Sequence, residues 1–128
     1  MAFMDVTPVV GSDRQLISGY GDMGFTITGI RHEGSVLVLP TRTLPWAVAS
    51  VADITLENLA PLLEAEPRPT VLMLGCGKST TMPSREVKAA LRAAGIVVEP
   101  MDTGAACRTY NILLSEDRPV AAALLPAR

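Results

Sequence analysis

Apolar and polar residues alternate along much of the first half of the chain, which is typical of β-strands. Residues 14–20 predict a short strand, and residues 25–30 follow a period close to two. Residues 31–34 then predict a turn that ends in glycine, after which residues 35–40 return as a more buried strand of the same hairpin. Residues 44–48 form a further short extended piece, whose proline places it at a sheet edge or a strand start.

The apolar spacing changes to that of a helix from Thr55 onward. Thr55 is a candidate N-cap, and Pro61 predicts that this helix is short or kinked. The run EPRP at residues 66–69 ends it. The apolar face of this helix consists of Leu56, Leu59, Leu62 and Leu63.

Strand and helix signals alternate in the second half of the chain. Residues 71–74 and 96–100 predict strands, residues 84–94 predict a helix, and a second helix begins near residue 103. Residues 120–125 predict the last strand. This βαβαβ order is typical of right-handed crossover units around a mainly parallel sheet, so the pattern predicts an α/β fold.

The length of 128 residues predicts a single domain, with hairpins in residues 1–50 and the βαβαβ half in residues 70–125. The net charge of −2 gives no basic field that would attract nucleic acid, and an aromatic content of 4% leaves few rings for base stacking. Apolar runs fall short of the roughly 18 residues that a membrane span needs. We therefore expect neither a nucleic-acid partner nor an integral membrane protein.

The stretch GCGKST, residues 75–80, resembles the end of a P-loop. A P-loop requires G-x-x-x-x-G-K-[ST], because its backbone N–H groups wrap around the phosphates before the lysine reaches them. Leu72 occupies the position of the first glycine and lies inside an apolar strand, and the following helix begins only near Pro83. The sequence therefore argues against a P-loop.

The carboxyl ends of two predicted strands carry polar and glycine-rich segments, residues 75–80 and 101–106. Ligands of open α/β sheets bind outside such strand ends, so the two segments share one rim if their strands are neighbours. We define this candidate ligand or partner rim by nine residues, with no catalytic residue and no metal ligand among them. The rim consists of Gly75, Cys76, Gly77, Lys78, Asp102, Thr103, Gly104, Arg108 and Asn111.

The rim has two interpretations. Free N–H groups in the first turn of the helix after residue 102 favour an anion or a carbonyl, and Arg108 and Lys78 add positive charge that Asp102 opposes. Alternatively, Asp102 or Thr103 caps the helix, the small residues allow close packing, Arg108 bonds a neighbouring loop carbonyl and Asn111 braces a loop.

Two cysteines offer a further possible chemistry. Cys76 lies between two glycines and Cys107 lies near a helix start, so either is a candidate nucleophile, although cysteines also serve as small buried apolar residues. His32 is the single histidine and lies on a distant hairpin, and the spacing of His and Cys gives no metal site. We predict no cofactor.

The block MDTGAACRTYNILLSEDRPVAAALLP, residues 101–126, resembles the small domain-of-unknown-function family that includes mitochondrial respiratory complex I assembly factor 3 and many short bacterial proteins. Further resemblance lies in residues 17–20, 24–40, 54–59 and 71–77 and around Trp46. The resemblance implies a three-layer α/β fold with a mixed central sheet. For mitochondrial members it implies binding to assembly intermediates of the respiratory NADH dehydrogenase, alongside a second assembly factor.

Three hypotheses follow for the function. The leading one is a non-enzymatic binding or assembly protein whose partners are respiratory-complex subunits or another assembly factor. The rival is a small-molecule or anion-binding protein, or an enzyme, that uses the rim as a pocket. The third is a thiol-based redox protein. Because the sequence has no transit peptide, we expect a bacterial cytoplasm.

Overall fold

The computed structural model describes residues 14–127, which contain eight strands and three α-helices. The strands are β1 (Ile17–Gly21), β2 (Gly24–Ile27), β3 (Ile30–Glu33), β4 (Val36–Leu39), β5 (Arg42–Pro45), β6 (Val71–Gly75), β7 (Val97–Met101) and β8 (Val120–Leu124). The helices are α1 (Ala60–Leu63), α2 (Arg85–Ala93) and α3 (Thr103–Ser115), and short 3-10 turns cover Val51–Asp53 and Glu57–Leu59.

A five-stranded mixed sheet forms the centre of the fold, in the order β5-β4-β8-β6-β7. Strand β4 runs antiparallel to β5 and β8, whereas β8, β6 and β7 run parallel to one another. The last strand of the chain therefore lies between the two halves of the sheet and joins them. Strand β5, which contains Pro45, lies at one edge, as the proline predicted.

Strands β1, β2 and β3 form a separate antiparallel sheet. The predicted turn at residues 31–34 is wrong, because most of this stretch forms β3 and pairs with β2. The chain turns instead at Thr28 and Gly29, whose φ angles of 49° and 80° suit a two-residue hairpin loop. Gly34, with a φ of 81°, then directs the chain into β4, so the predicted pairing of residues 25–30 with 35–40 is also wrong.

The helices lie where the sequence patterns predicted them, except that the first one is divided and the last one is capped by Asp102 instead of Thr103. The predicted helix after Thr55 divides into a 3-10 turn and the four-residue α1, and the Thr55 hydroxyl accepts a hydrogen bond from the Asn58 N–H at 3.2 Å. Helix α2 begins after Ser84, whose hydroxyl accepts from the Val87 N–H. Helix α3 is capped by Asp102, while Thr103 is its first residue.

The layers follow from the alternation of side chains along the central strands. On one face, Leu37, Leu72 and Leu74 pack against residues of α1 and α2 and against Trp46. On the other face, Val38 and Met73 pack against α3 and the small sheet. Because β4 and β8 are covered on both faces, they are apolar throughout rather than alternating. The three-layer α/β fold with a mixed central sheet is therefore confirmed.

None of the helices in residues 14–127 has both the length and the apolar content needed to cross a membrane.

Candidate functional site

The two segments of the rim meet because β6 and β7 are adjacent and parallel, with Gly75 opposite Met101. The Cys76 N–H donates to the Met101 carbonyl at 2.8 Å. The Thr103 N–H donates to the Gly77 carbonyl at 2.9 Å, and the Gly77 N–H donates to the Thr103 hydroxyl at 2.8 Å. The loop after β6 is therefore held to the start of α3 by direct hydrogen bonds.

Thr103 connects three elements at this edge of the sheet. Its side chain is fully buried, and its hydroxyl donates to the Leu125 carbonyl at 2.7 Å while accepting from Gly77. A buried hydroxyl that both donates and accepts a hydrogen bond has no unpaired proton and does not need water. Thr103 therefore links the ends of β6 and β8 to α3 through the single proton and one lone pair of its hydroxyl.

Asp102 caps α3, which decides between the two candidate caps. Its Oδ1 accepts from the Ala105 N–H at 2.9 Å, and its carbonyl accepts from the Ala106 N–H. A carboxylate at this position stabilises the helix start and satisfies donors that an external anion would otherwise use. The geometry at Asp102 therefore matches the capping interpretation of the rim.

The rim glycines lie where neighbouring atoms approach closely. A Cβ on Gly75 would lie 2.9 Å from Leu124 Cδ2 and 3.1 Å from the Thr103 hydroxyl oxygen. A Cβ on Gly104 would contact the Tyr20 hydroxyl and would lie 3.3 Å from Arg108 Nη1. Both glycines therefore serve close packing, and Tyr20 covers the first turn of α3.

The three remaining polar rim residues differ in their environment. Asn111 holds β1 through both ends of its amide, since Oδ1 accepts from the Ile17 N–H at 2.9 Å and Nδ2 donates to the Ile17 carbonyl at 2.6 Å. Arg108 and Lys78 are exposed, and neither side chain forms a hydrogen bond or an ion pair with another residue of the described chain. Asn111 is therefore a brace, but of strand β1 rather than of a loop, and the predicted bond from Arg108 to a loop carbonyl is wrong. The two cationic side chains are left available to a partner.

An open depression of about 530 Å³ borders the rim on one side. Of the nine rim residues, Cys76 and Gly77 line it. Its other walls are residues that the sequence patterns did not indicate, and the Ser35 hydroxyl among them already donates to the Val48 carbonyl at 2.6 Å. These further walls are Met23, Gly34, Ser35, residues 46–49, Leu125 and Pro126. The lining contains neither a carboxylate nor a basic side chain, so the depression suits an apolar or neutral group.

The two thiols are free but differ in their surroundings. Burial raises the pKa of Cys107 to about 12, an effect that the positive charge of Arg108 partly opposes and the negative charge of Asp102 reinforces. Cys107 is therefore a neutral thiol at physiological pH and a poor nucleophile. Cys76 is partly buried, and its Sγ lies 3.3 Å from the Thr81 carbonyl oxygen.

Two residues that contact the rim or line the depression, Tyr20 and Trp46, were not predicted there by the sequence patterns. Tyr20 comes from the small sheet, and Trp46 comes from the segment after β5. Neither carries a local signal that places it beside α3 or β6. Among residues 14–127, groups of three or more His, Cys, Asp or Glu side chains that could hold a metal ion are absent.

This chain is similar to several known proteins. The chain is 43% identical over 111 residues to a Danio rerio protein named NADH dehydrogenase (ubiquinone) 1 alpha subcomplex assembly factor 3, a match that covers 87% of this chain and 64% of that protein. The chain therefore spans less than two thirds of that relative. It is 36% identical over 110 residues to an uncharacterized protein of Rhodobacter capsulatus, covering 86% of this chain and 83% of the relative.

The fold also matches solved structures. A crystal structure described as an outer membrane protein from Bartonella henselae superposes with a TM-score of 0.84 at 32% identity, covering 91% of this chain and 98% of that one. The profile of a family described as "Protein of unknown function (DUF498/DUF598)" matches residues 17–125, which include every residue of the rim. The resemblance noted in residues 101–126 is thereby confirmed, and the chain belongs to this DUF498/DUF598 family.

Proposed function

We propose that this protein is a non-enzymatic binding protein that assists the assembly of a respiratory NADH dehydrogenase. The observation that carries the proposal is its 43% identity, over 87% of its length, to a protein named as an assembly factor of that enzyme. The partner class is a subunit of the respiratory complex or a second assembly factor. The named relatives are longer than this chain, and we propose, rather than observe, that it shares their role in assembly.

The geometry of the rim supports a binding role. The hydroxyl of Thr103, the carboxylate of Asp102 and the amide of Asn111 are all engaged in hydrogen bonds within the protein. Lys78 and Arg108 remain exposed, and such cations contribute to the orientation and rate of protein association more than to its affinity. We propose that these two side chains, with the adjoining rim backbone, contact the partner.

The proposal places the protein in a bacterial cytoplasm. Its similarity to a Rhodobacter capsulatus protein over most of both chains supports a bacterial setting. The free thiols of Cys76 and Cys107 are in keeping with a reducing compartment.

The test is purification of the tagged protein from its native cells, with mass spectrometry of the retained proteins. Wild type is compared with the double variant Lys78→Glu/Arg108→Glu and with the matched control Arg42→Glu/Arg118→Glu, which makes the same change in net charge at exposed positions outside the rim. We expect dehydrogenase subunits with wild type and control, and their loss with the rim variant. Absence of these subunits from the wild-type sample contradicts the assembly role, and equal recovery with all three proteins contradicts the rim as the contact.

A second candidate function is the binding of a small neutral molecule, either without reaction or as the substrate of an enzyme. The depression of about 530 Å³ beside Cys76 and Gly77 favours it, because a volume of this size accommodates a small ligand. Mass spectrometry of small molecules released from the same purified protein tests this candidate. A stoichiometric metabolite that disappears when Ala47→Trp fills the depression would support it, and a protein free of metabolites would exclude it.

A further inference from the structure

A groove of about 390 Å³ lies between α2 and the edge strand β7, and none of the nine rim residues lines it. Its apolar part includes Met82, whose exposed fraction is 53%, and Ala89 of α2. Pro83 and Val98 complete this apolar floor, whereas the Val97 side chain lies on the opposite, α3 face of the sheet. A large apolar side chain that stays half exposed within a concave, partly apolar surface is typical of a contact site.

Three cations form the helical wall of the groove: Arg85, Lys88 and Arg92. They are spaced by three and four residues, which places them on one side of α2. Among residues 14–127 the ion pairs involve Arg14, Arg31 and Arg118, so the groove cations have no acidic partner in the described chain. The three positive charges thus form a local basic patch on a protein whose net charge is −2.

Part of this arrangement is unfavourable for the isolated helix. Arg85 is the first residue of α2, where the helix dipole disfavours a positive charge, whereas Arg92 lies in the last turn, where the dipole favours it. Lys88 stands three residues after Arg85 and four before Arg92, and like charges at these spacings repel one another. Because helix stability does not account for the placement of Arg85 and Lys88, the cluster of unpaired cations beside the exposed Met82 points to an external acidic group.

The backbone of β7 limits how a partner could pair with this edge. The Val97 N–H donates to Thr70 and the Met101 carbonyl accepts from Cys76, so the odd-numbered residues of β7 face β6. The outward peptide groups then belong to Val98 and Pro100, and proline has no N–H. A partner strand that paired with this edge would find one outward backbone N–H donor along β7, that of Val98. Recognition at this groove therefore depends on side chains.

We propose that the α2–β7 groove docks an acidic segment of a partner protein. Aspartate or glutamate side chains of that segment pair with Arg85, Lys88 and Arg92, while its apolar side chains pack on Met82 and Ala89. This surface is distinct from the rim, and its occupancy does not depend on the function proposed there. Three cations are fewer than the four to eight that typify polybasic membrane-binding clusters.

The probe is a short fluorescent peptide in which glutamate alternates with leucine, and its binding is followed by fluorescence anisotropy. The test variant is Lys88→Gln/Arg92→Gln, and the control Arg42→Gln/Arg118→Gln removes the same charge elsewhere on the surface. We expect the test variant to weaken binding by roughly threefold to tenfold and the control by less than about twofold. A peptide with glutamine in place of glutamate should bind more weakly to wild type, and added salt should narrow that difference.

A second variant examines the apolar floor. Met82→Ser should weaken binding of the glutamate–leucine peptide, because an exposed apolar contact is lost while the charges stay. Equal weakening by the test and control variants would overturn the proposal, since it would indicate attraction to overall charge. Tighter binding to phosphatidylserine vesicles than to the peptide would also overturn it. The rim variant Lys78→Glu/Arg108→Glu should weaken binding less than the test variant does, which separates this surface from the rim.

Discussion

Thr103 and Gly77 are joined by two hydrogen bonds that run in opposite directions. The Thr103 N–H donates to the Gly77 carbonyl at 2.9 Å, and the Gly77 N–H donates to the Thr103 hydroxyl at 2.8 Å. The same hydroxyl donates to Leu125, so the loop after β6, the start of α3 and the end of β8 are fixed to one another. A single buried side chain thus reinforces the backbone hydrogen bonds that hold the rim together.

Replacing Thr103 by valine should destabilise the protein. The change keeps the shape but removes the hydroxyl, and it leaves the Gly77 N–H and the Leu125 carbonyl without this partner. We expect a loss of roughly 1–3 kcal/mol in the free energy of unfolding, measured by urea denaturation. Thr103→Ser keeps the hydroxyl and should cost only about 1 kcal/mol. Equal stability of the valine variant and wild type would show that the hydroxyl does not hold the rim.

Asn111 should be required for attachment of the small sheet to α3. Asn111→Ala removes both hydrogen bonds to Ile17, and we expect a loss of roughly 1–3 kcal/mol in unfolding free energy. Amide hydrogen exchange at Ile17 should accelerate by more than exchange in β6. Ser115→Ala, on the same helix but with an exposed side-chain bond, should change stability by less than about 0.5 kcal/mol. Unchanged protection of Ile17 would contradict the proposed brace.

Cys107 should resist alkylation in the folded protein, because burial raises its pKa to about 12. Iodoacetamide at mildly alkaline pH should modify Cys107 only when denaturant is added, as read by peptide mass spectrometry. Modification of Cys107 in the native protein at the rate seen in denaturant would contradict this expectation.

The same shift predicts an alkaline loss of stability. The folded pKa of Cys107 is about 12 against an ordinary value of 9.0, so the unfolded chain releases its proton first as the pH rises. The stabilising contribution is complete below pH 9 and is lost between pH 9 and about 12. About 1 kcal/mol of this contribution to the free energy of unfolding is lost by pH 10. Unfolding free energies from pH 7.5 to 10 should fall less steeply in Cys107→Ala, and equal slopes would contradict the assignment.

Tyr110 is a buried side chain whose hydroxyl finds no hydrogen-bond partner within the described residues. Burial raises the pKa of its phenol, and the nearby charge of Arg14 partly opposes this effect. Because an unpaired buried hydroxyl costs free energy, Tyr110→Phe should keep or raise stability, by up to about 1 kcal/mol. Thermal and urea unfolding measure this change. A loss above about 1 kcal/mol would reveal that the hydroxyl has a partner in solution.

Much of the fold followed from local patterns. The strands β6, β7 and β8 and the helices α2 and α3 lie where apolar spacing and caps predicted them, within one or two residues. These elements have a single consistent period and clear ends, and Ser84 and Asp102 cap the helices as polar residues at such positions do. The meeting of the two rim segments followed from the adjacency of parallel strands.

The hairpin region was predicted less well, because its turns use unusual residues. Thr28 adopts a φ of 49°, a conformation that β-branched residues rarely take, so local propensity gave no reason to place a turn there. Because residue 34 is glycine, the turn was predicted at residues 31–34, whereas the chain turns earlier, at Thr28 and Gly29. The pairing of β4 with β8, across most of the chain length, is likewise a property of the assembled sheet.

The family, the α/β class and the position of the rim residues at the sheet edge could be predicted from the sequence alone, since these depend on local periodicity and on similarity along the chain. What the rim residues do depends on their tertiary contacts. Thr103 and Asn111 proved to hold distant backbone segments, Tyr20 covers Gly104, and three cations of α2 gather beside the β7 edge. The physical reason is that hydrogen-bond partners, burial and pKa shifts arise between residues far apart in sequence, where spacing along the chain carries no information.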